Sequence, residues 1–90
     1  MKKQFDNKKN KENAAKHGVD FAAIDDLEWH SSITRQDNRF DYGEDRFITY
    51  AFIGERLHCL VWTIRDGLIR PISLRKANAK ERRRYEKEKE

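Results

Sequence analysis

The stretch LHCLVWTIRDGLIRPISL, residues 57–74, carries the pattern that decides the fold. Two apolar runs, residues 57–64 and 68–74, flank Asp66-Gly67, a dipeptide that favours the two-residue turn of a β-hairpin. Pro71 has no backbone N–H to donate, which predicts that the second run is an edge strand or contains a bulge. The stretch therefore predicts an antiparallel hairpin whose last strand is irregular or borders the sheet.

Other segments add strands and helices around this hairpin. The alternation of aromatic and aliphatic residues predicts a strand over residues 46–53, joined to the hairpin by Gly54-Glu55-Arg56. Residues 31–37 are a weaker, exposed strand candidate. Helix formers and capping residues predict three helices: residues 8–17 before Gly18, residues 21–28 after Asp20, and a terminal helix from Asn78 through Tyr85. The order predicts an α+β fold with two N-terminal helices, an antiparallel sheet of three to four strands and a C-terminal helix, in one domain spanning residues 1–90.

The charge pattern indicates a polyanionic partner. The chain has a formal charge of +4, with basic ends at residues 1–19 and 70–90 and an acidic segment at residues 20–47. Basic ends suit RNA or DNA, although clustered Lys and Arg are equally typical of a solvated helix face. The polar N-terminus predicts no signal peptide, and no apolar run reaches membrane-spanning length, so we expect a cytoplasmic protein with no membrane contact.

Cysteine and histidine usage excludes several site classes. Cys59 is the only cysteine, which rules out an intramolecular disulfide and a multi-cysteine zinc site, and its apolar surroundings predict a buried strand residue. His17, His30 and His58 are scattered and form no metal-ligand spacing. We therefore expect no metal and no cofactor.

Several separated motifs resemble the BrnT toxins. The opening of that family is similar to Phe5-Asp6, Asn13, Lys16-His17-Gly18-Val19 and Phe21. The remainder is similar to Asp45-Arg46-Phe47-Ile48, Thr63-Ile64-Arg65-Asp66-Gly67, Ile69-Arg70 and Ile72-Ser73-Leu74-Arg75-Lys76-Ala77, followed by the Arg/Glu-rich segment with Tyr85. The chain departs from the family pattern at Asp6-Asn7, where a Trp-Asp or Asp-Pro element is common.

This resemblance implies the toxin of a bacterial type II toxin–antitoxin pair with a RelE-like ribonuclease fold. It implies metal-independent RNA cleavage that blocks translation. It also implies neutralisation by a BrnA-like antitoxin, a dimer that brings the complex to operator DNA. We expect a heterotetramer, with two toxins on one antitoxin dimer.

Cleavage by the RNA 2′-hydroxyl requires phosphate clamping, and arginine suits this role because its planar fork makes bidentate hydrogen bonds. The hypothesis is that Arg65 and Arg75 hold the scissile phosphate and that Lys76 adds charge stabilisation. The alternative is structural, with Arg65 paired to Asp66 and Arg75 paired to Glu81.

Two further side chains are catalytic candidates. Tyr85 can stack on a base or pass a proton, or it can pack the terminal helix onto the sheet. His17 can act as general base or acid near neutral pH, or it can cap the first helix before Gly18.

Cationic side chains complete the predicted site as RNA contacts: Lys16, Arg70, Lys80, Arg82 and Arg83. Because Arg82, Arg83 and Arg84 point in three directions on a helix, at most two of them can face RNA. The pattern contains no unambiguous catalytic base, so a non-catalytic module that binds nucleic acid or a partner protein stays open as the alternative function.

Overall fold

The computed structural model describes residues 3–90, so the first two residues of the predicted domain lie outside the described part. The chain forms two α-helices, two short 3-10 helices and four β-strands. In chain order these are α1 (Asn7–His17), 3-10 helices at Phe21–Asp26 and Trp29–Ser31, β1 (Ile33–Gln36), β2 (Arg46–Ile53), β3 (Arg56–Arg65), β4 (Leu68–Lys76) and α2 (Ala79–Glu88).

The four strands form one antiparallel sheet in the order β1-β2-β3-β4. The predicted turn joins β3 to β4, and both of its residues have positive φ, 55° at Asp66 and 74° at Gly67. This conformation gives a turn whose twist matches that of the flanking strands. The α+β class, the antiparallel sheet and the C-terminal helix are thus confirmed.

Pro71 lies at an irregularity in the edge strand β4. Val61 pairs with Ser73, whereas the next residue, Trp62, pairs with Pro71, so Ile72 is an extra residue in β4. A bulge at an edge is a position where a missing N–H is tolerated. Both outcomes that the sequence predicted for this strand, an edge and a bulge, occur together.

The second predicted helix is not an α-helix. Residues 21–26 form a 3-10 helix, with Asp20 accepting a hydrogen bond from the N–H of Ala22. The buried residues Phe21, Ile24 and Leu27 recur every three positions, which is the period of a 3-10 helix and not the 3.6 of an α-helix. The segment ends where Leu27 bridges to Ile53 at the end of β2.

The first helix and the 3-10 helix at residues 21–26 cover one face of the sheet, here called the α1 face. Its core contains Phe21 and Ile24 packed against Ala51, Leu60 and Leu74 of the three longer strands. Burial of these apolar side chains is the main stabilising term available to a chain of this size.

A buried asparagine ties α1 to the edge strand. The side chain of Asn13 donates to the carbonyl oxygens of Val19 and Leu74, both at 2.9 Å, and accepts from the N–H of Leu74 at 3.0 Å. These bonds satisfy backbone groups at the outer edge of β4 that no further strand pairs.

The terminal helix crosses the other face, here called the α2 face, at one end only. Asn78 and Glu81 form a capping box at its start. Tyr85 is buried with Leu57 and Ala77, and its hydroxyl donates to the carbonyl oxygen of Ser31 at 2.6 Å. Within the described part of the chain, residues 3–90, no helix covers the rest of the α2 face.

Candidate nucleic-acid interface

Five arginines project from the sheet on its α2 face. In an antiparallel sheet, directly paired residues share a face and alternate residues along a strand share a face. Arg75 pairs with Cys59, Arg70 pairs with Thr63, and Arg65 follows Thr63 by two residues. Arg46 also pairs with Thr63, while Arg35 pairs with Ile48 of the same face.

Helix α2 adds a sixth arginine to this surface. Its side chains at Glu81 and Glu88 contact the sheet arginines, and Arg84 lies three residues after the first and four before the second. Residues at this spacing share one side of a helix. The six residues are here called the arginine surface: Arg35, Arg46, Arg65, Arg70, Arg75 and Arg84.

At the helix end of the surface, Arg75 is held by Glu81. Two guanidinium nitrogens of Arg75 donate to the two carboxylate oxygens of Glu81 at 2.7 and 2.8 Å, and the hydroxyl of Tyr50 donates to Glu81 at 3.1 Å. The bond from Arg75 lowers the pKa of Glu81 to about 2, and the same bond raises the pKa of Arg75. Arg75 is therefore a fixed cation that also anchors α2.

At the opposite end, Glu44 joins two arginines. One carboxylate oxygen accepts from Arg46 at 3.1 Å and the other from Arg65 at 3.0 Å. Both contacts lower the pKa of Glu44, and the hydrogen bond from Arg46 has the larger effect. The guanidinium of Arg46 also lies 4.1 Å from the centre of the Tyr42 ring.

In the part of the chain that the structure describes, two arginines of the surface have no carboxylate that balances their charge. Within residues 3–90, neither Arg70 nor Arg84 has an ion-pair partner, whereas Arg35 pairs with Glu88 on α2. Six arginines thus face only three glutamates, and the surface is cationic. Because Arg70 and Arg84 carry uncompensated charge, they are the side chains best able to attract an anion.

The middle of the surface is formed by shorter side chains, two of them apolar. Ile48, Val61 and Ser73 are half-buried there, between the part covered by α2 and the end that contains Glu44. The paired positions of Arg75 and Arg70 are four residues apart along β3, a distance of about 13 Å. An extended polyanion can therefore contact both arginines at different points along its length.

His17 lies beside the outer edge of β4. Together with Lys9, Glu12, Lys16, Ile72 and Ser73, it lines a pocket of about 190 Å³. Burial, followed by the charges of Lys16 and Arg75, lowers the pKa of His17. The imidazole is therefore neutral near pH 7, and its pocket includes Ser73, which also lies in the middle of the arginine surface. The C-terminal position on α1 that the sequence analysis noted is also observed.

The structure does not bring Arg65 and Arg75 to one phosphate. Arg65 precedes the turn and Arg75 pairs with Cys59, six residues back along β3, so their strand positions are about 20 Å apart. The structural alternative holds for Arg75, which pairs with Glu81, while the partner of Arg65 is Glu44 and not Asp66. A shared clamp is therefore wrong, although both side chains belong to one surface.

Lys76 lies on the opposite face from Arg75. It pairs with His58 and is exposed on the α1 face, because successive residues of a strand alternate. It cannot add charge to a phosphate held by Arg75. The alternation of side chains along a strand is enough to predict this direction.

Tyr85 and two of the predicted cations also lie away from the surface. The ring of Tyr85 is buried against Phe52 and Leu57, which is the packing alternative. Arg82 lines a pocket of about 160 Å³ on the other flank of α2, with Glu55 and Glu86. Arg83 points away from the sheet, since it lies about half a turn from Tyr85. Lys80 is exposed one helical turn before Arg84 and borders the surface.

Sequence reasoning missed Arg35, Arg46 and Arg84 as members of this surface, and it missed Tyr50, whose hydroxyl donates to Glu81. Strand alternation across the predicted hairpin would have found Arg46, because it shares the face of Arg70. No local signal marks Arg35 or its partner Glu88, which are 53 positions apart. The remaining titratable strand residues are structural: burial raises the pKa of Cys59 and lowers that of His58.

The fold and this surface define a class of protein: a small α+β domain whose sheet is packed on one face and cationic on the other. The family model of the ribonuclease toxin BrnT of type II toxin–antitoxin systems matches residues 5–81. The chain belongs to this family. The match ends at Glu81, so Arg84 and Tyr85 lie beyond it.

A search of curated proteins finds no match. Within residues 3–90, no helix is long and apolar enough to cross a membrane. The same residues include no group of three His, Cys, Asp or Glu side chains arranged to hold a metal ion.

Proposed function

We propose that this ribonuclease toxin is a metal-independent endoribonuclease that binds single-stranded RNA across the arginine surface. The observation that carries the proposal is the presence of six arginines on one side of the molecule, two of them without an ion-pair partner within residues 3–90. Arginine forks match phosphate geometry and neutralise its charge. We further infer that the fold follows the RelE-like ribonucleases.

The proposed chemistry is attack of the RNA 2′-oxygen on the adjacent phosphorus. The 2′-hydroxyl loses its proton, the new P–O bond closes a 2′,3′-cyclic phosphate as the bond from phosphorus to the 5′-oxygen breaks, and the 5′-oxygen gains a proton from solvent water. Arg75 stabilises the charge that develops on the phosphate oxygens, and Arg70 binds a phosphate further along the strand. His17 accepts the 2′ proton, because its lowered pKa leaves the imidazole unprotonated near pH 7 with a nitrogen free to take up a proton.

The rigid position of Arg75 supports its role. Its bidentate bond to Glu81 leaves the guanidinium one third exposed at the helix end of the surface. A cation that is already oriented requires little reorganisation when charge develops on a phosphate. The remaining predicted contacts that border this region, Lys16 and Lys80, are proposed to bind flanking phosphates.

A second function is favoured by one specific observation. The bonds of Arg75 to Glu81 and of Tyr85 to Ser31 give two of the predicted catalytic residues a purely structural use. A basic module that binds RNA or a partner protein without cleaving it therefore remains the alternative function.

Membership of a type II toxin family implies an antitoxin partner. We propose a BrnA-like antitoxin that covers the arginine surface with an acidic segment, in a cytoplasmic heterotetramer of two toxins on one antitoxin dimer. In this arrangement the toxin reaches operator DNA only through the antitoxin, and translation stops when the toxin is released. Mass measurement of the co-expressed pair tests the stoichiometry, and a 1:1 particle at high concentration would refute it.

Incubation of the purified chain with RNA in EDTA separates the two functions. We expect fragments ending in 2′,3′-cyclic phosphate, with cleavage reduced by Arg70→Ala and by His17→Ala. Arg70 is the preferred site because its replacement breaks no ion pair. Lys76→Ala is the matched control, since it removes a cation from the opposite face. Binding of RNA without any cleavage supports the non-catalytic module.

A further inference from the structure

The loop between β1 and β2 exposes an aromatic ring beside the arginine surface. Phe40 is 71% exposed, the highest value among the large apolar side chains of residues 3–90. Most other aromatic rings of the chain contact the sheet or the helices. A phenyl ring that is exposed to water offers a surface against which a flat apolar group can pack.

The loop that carries this ring is held by a buried carboxylate. Asp37 accepts hydrogen bonds from the backbone N–H of Arg39 at 3.2 Å, from two guanidinium nitrogens of Arg39 at 2.8 Å, and from the hydroxyl of Tyr42 at 2.9 Å. Its own N–H donates to the carbonyl oxygen of Arg46 at 2.7 Å. The ring of Phe40 is therefore presented by a braced loop, which limits the entropy cost of binding.

The braced loop connects Phe40 to the arginine surface. The ring centres of Phe40 and Tyr42 are 5.9 Å apart in an edge-to-face arrangement, and the guanidinium of Arg46 lies over the Tyr42 ring. Arg39 adds a side chain that is 64% exposed. The ring thus lies at the end of the surface that contains Glu44, where the guanidinium groups of Arg39 and Arg46 pair with Asp37 and Glu44.

The chemistry around the ring favours an RNA base over a protein side chain. The residues on either side of Phe40 in the chain, Arg39 and Asp41, are polar and exposed, and the ring contacts Tyr42 edge to face. A nucleobase needs one aromatic face and a nearby cation for its phosphate, and this loop carries both. Hydrogen bonds from neutral donors orient two further acidic side chains of the loop: Asp41 accepts from the N–H of Gly43, and Asp45 accepts from Gln36.

We propose that Phe40 is a stacking subsite for one unpaired nucleobase of the RNA, with the adjacent phosphate bound by Arg39 and Arg46. This subsite rests on the proposed function and extends it, because it gives the surface a contact that double-stranded RNA cannot make. It predicts that the nucleotides bound near the start of β2 must be unpaired.

The test measures binding of a 2′-O-methyl oligonucleotide, which cannot be cleaved, with one base replaced by the fluorescent base 2-aminopurine. Phe40→Ala is expected to weaken binding about tenfold and to abolish the quenching that stacking causes, whereas Phe40→Trp retains both. The slope of log affinity against log salt concentration stays unchanged, since no charge is lost. Ile64→Ala is the matched control, because Ile64 is 56% exposed on the α1 face.

An abasic position in the oligonucleotide identifies the stacked base. At that position Phe40→Ala is expected to have no further effect, while at other positions the loss persists. If wild type and Phe40→Ala bind equally and Arg70→Ala still weakens binding, the subsite is wrong and the proposed function stands. If the wild-type chain binds no RNA, both are wrong. Loss of affinity for the co-expressed antitoxin with unchanged RNA binding would overturn the subsite in favour of a protein anchor.

Discussion

The two faces of the sheet are built by different physical means. On the α1 face, Phe21, Leu60 and Leu74 are almost wholly removed from water and pack against α1 and the first 3-10 helix. On the α2 face, a helix covers one end only, where Tyr85 packs against Leu57 and the Arg75–Glu81 ion pair adds a second contact. Apolar burial specifies the first face, whereas the second combines a small apolar cluster under α2 with a charged remainder.

This difference teaches which residues can change without loss of the fold. Side chains of the α1 face contribute through area removed from water, so their replacement leaves cavities. Most arginines of the α2 face are partly exposed, and exposed ion pairs contribute little to stability. The molecule therefore carries its larger apolar core and its cationic surface on opposite sides of one sheet, and this separation can be measured.

The largest expected effect follows the replacement of one side chain in the apolar core. Leu60→Ala is expected to lower the free energy of unfolding by about 3 kcal/mol, because Leu60 is fully buried on the α1 face. Val61→Ala, one residue later and half-buried on the α2 face, is expected to cost under about 1 kcal/mol. Urea denaturation of both variants checks the pair, and equal losses would contradict the separation.

The next effect concerns the clamp between α1 and β4. Asn13→Ala is expected to cost about 2 kcal/mol, since it leaves the buried carbonyl oxygens of Val19 and Leu74 without their donor. Asn7→Ala, at the exposed start of α1, is the control and is expected to change stability only slightly. Thermal unfolding followed by circular dichroism measures the difference, and an unaffected Asn13→Ala variant would show that the clamp is dispensable.

A smaller effect depends on pH and lies on the α2 face. The folded pKa of Glu81 is lowered to about 2, so its stabilising contribution is present above its usual value near 4.5 and is lost as pH falls towards 2. Glu81→Gln is expected to lower stability by roughly 1 kcal/mol at pH 7 and to match wild type near pH 2.

The matched control for this experiment is Glu86→Gln, on the other flank of α2. Asp37 titrates in the same direction, because Arg39 lowers its pKa, and it contributes equally to wild type and to both variants. Denaturant midpoints measured from pH 7 to pH 2 resolve the comparison. A pH-independent difference between Glu81→Gln and wild type would exclude the charge of Glu81 as the cause.

The smallest change in stability is expected to accompany a clear change in RNA binding. Arg84→Ala is expected to weaken binding about fivefold and to reduce the salt slope by about one, with the melting temperature unchanged. Arg83→Ala, its neighbour on the outer side of α2, is expected to change neither quantity. Fluorescence anisotropy over a range of salt concentrations measures both variants, and equal effects would indicate diffuse attraction by the whole helix.

The elements that sequence reasoning predicted correctly depend on local chemistry. Residues 46–53 form β2 with the predicted limits, and the Asp66-Gly67 turn and the Asn78 cap lie where residue preferences put them. The 3-10 helix at residues 21–26 was missed because its period of three differs little from 3.6 over so short a segment.

The candidate site was harder to predict, because its geometry depends on pairings distant in sequence. Glu44 contacts Arg65 across 21 positions, and Arg35 contacts Glu88 across 53. Neither pair leaves a local pattern. The direction of Lys76, by contrast, followed from alternation along β4, and the choice between Arg83 and Arg84 required only the position of Tyr85 on α2.

The most direct test of the central claim is an NMR titration that observes the guanidinium Nε–Hε groups of the chain while a 2′-O-methyl oligonucleotide is added. Signals of the arginine surface, Arg70 and Arg84 foremost, are expected to shift at the lowest concentrations, while those of Arg56, Arg82 and Arg83 stay in place. Early shifts confined to Arg56, Arg82 and Arg83, with Arg70 and Arg84 unmoved, would contradict the assignment of RNA binding to this face of the sheet.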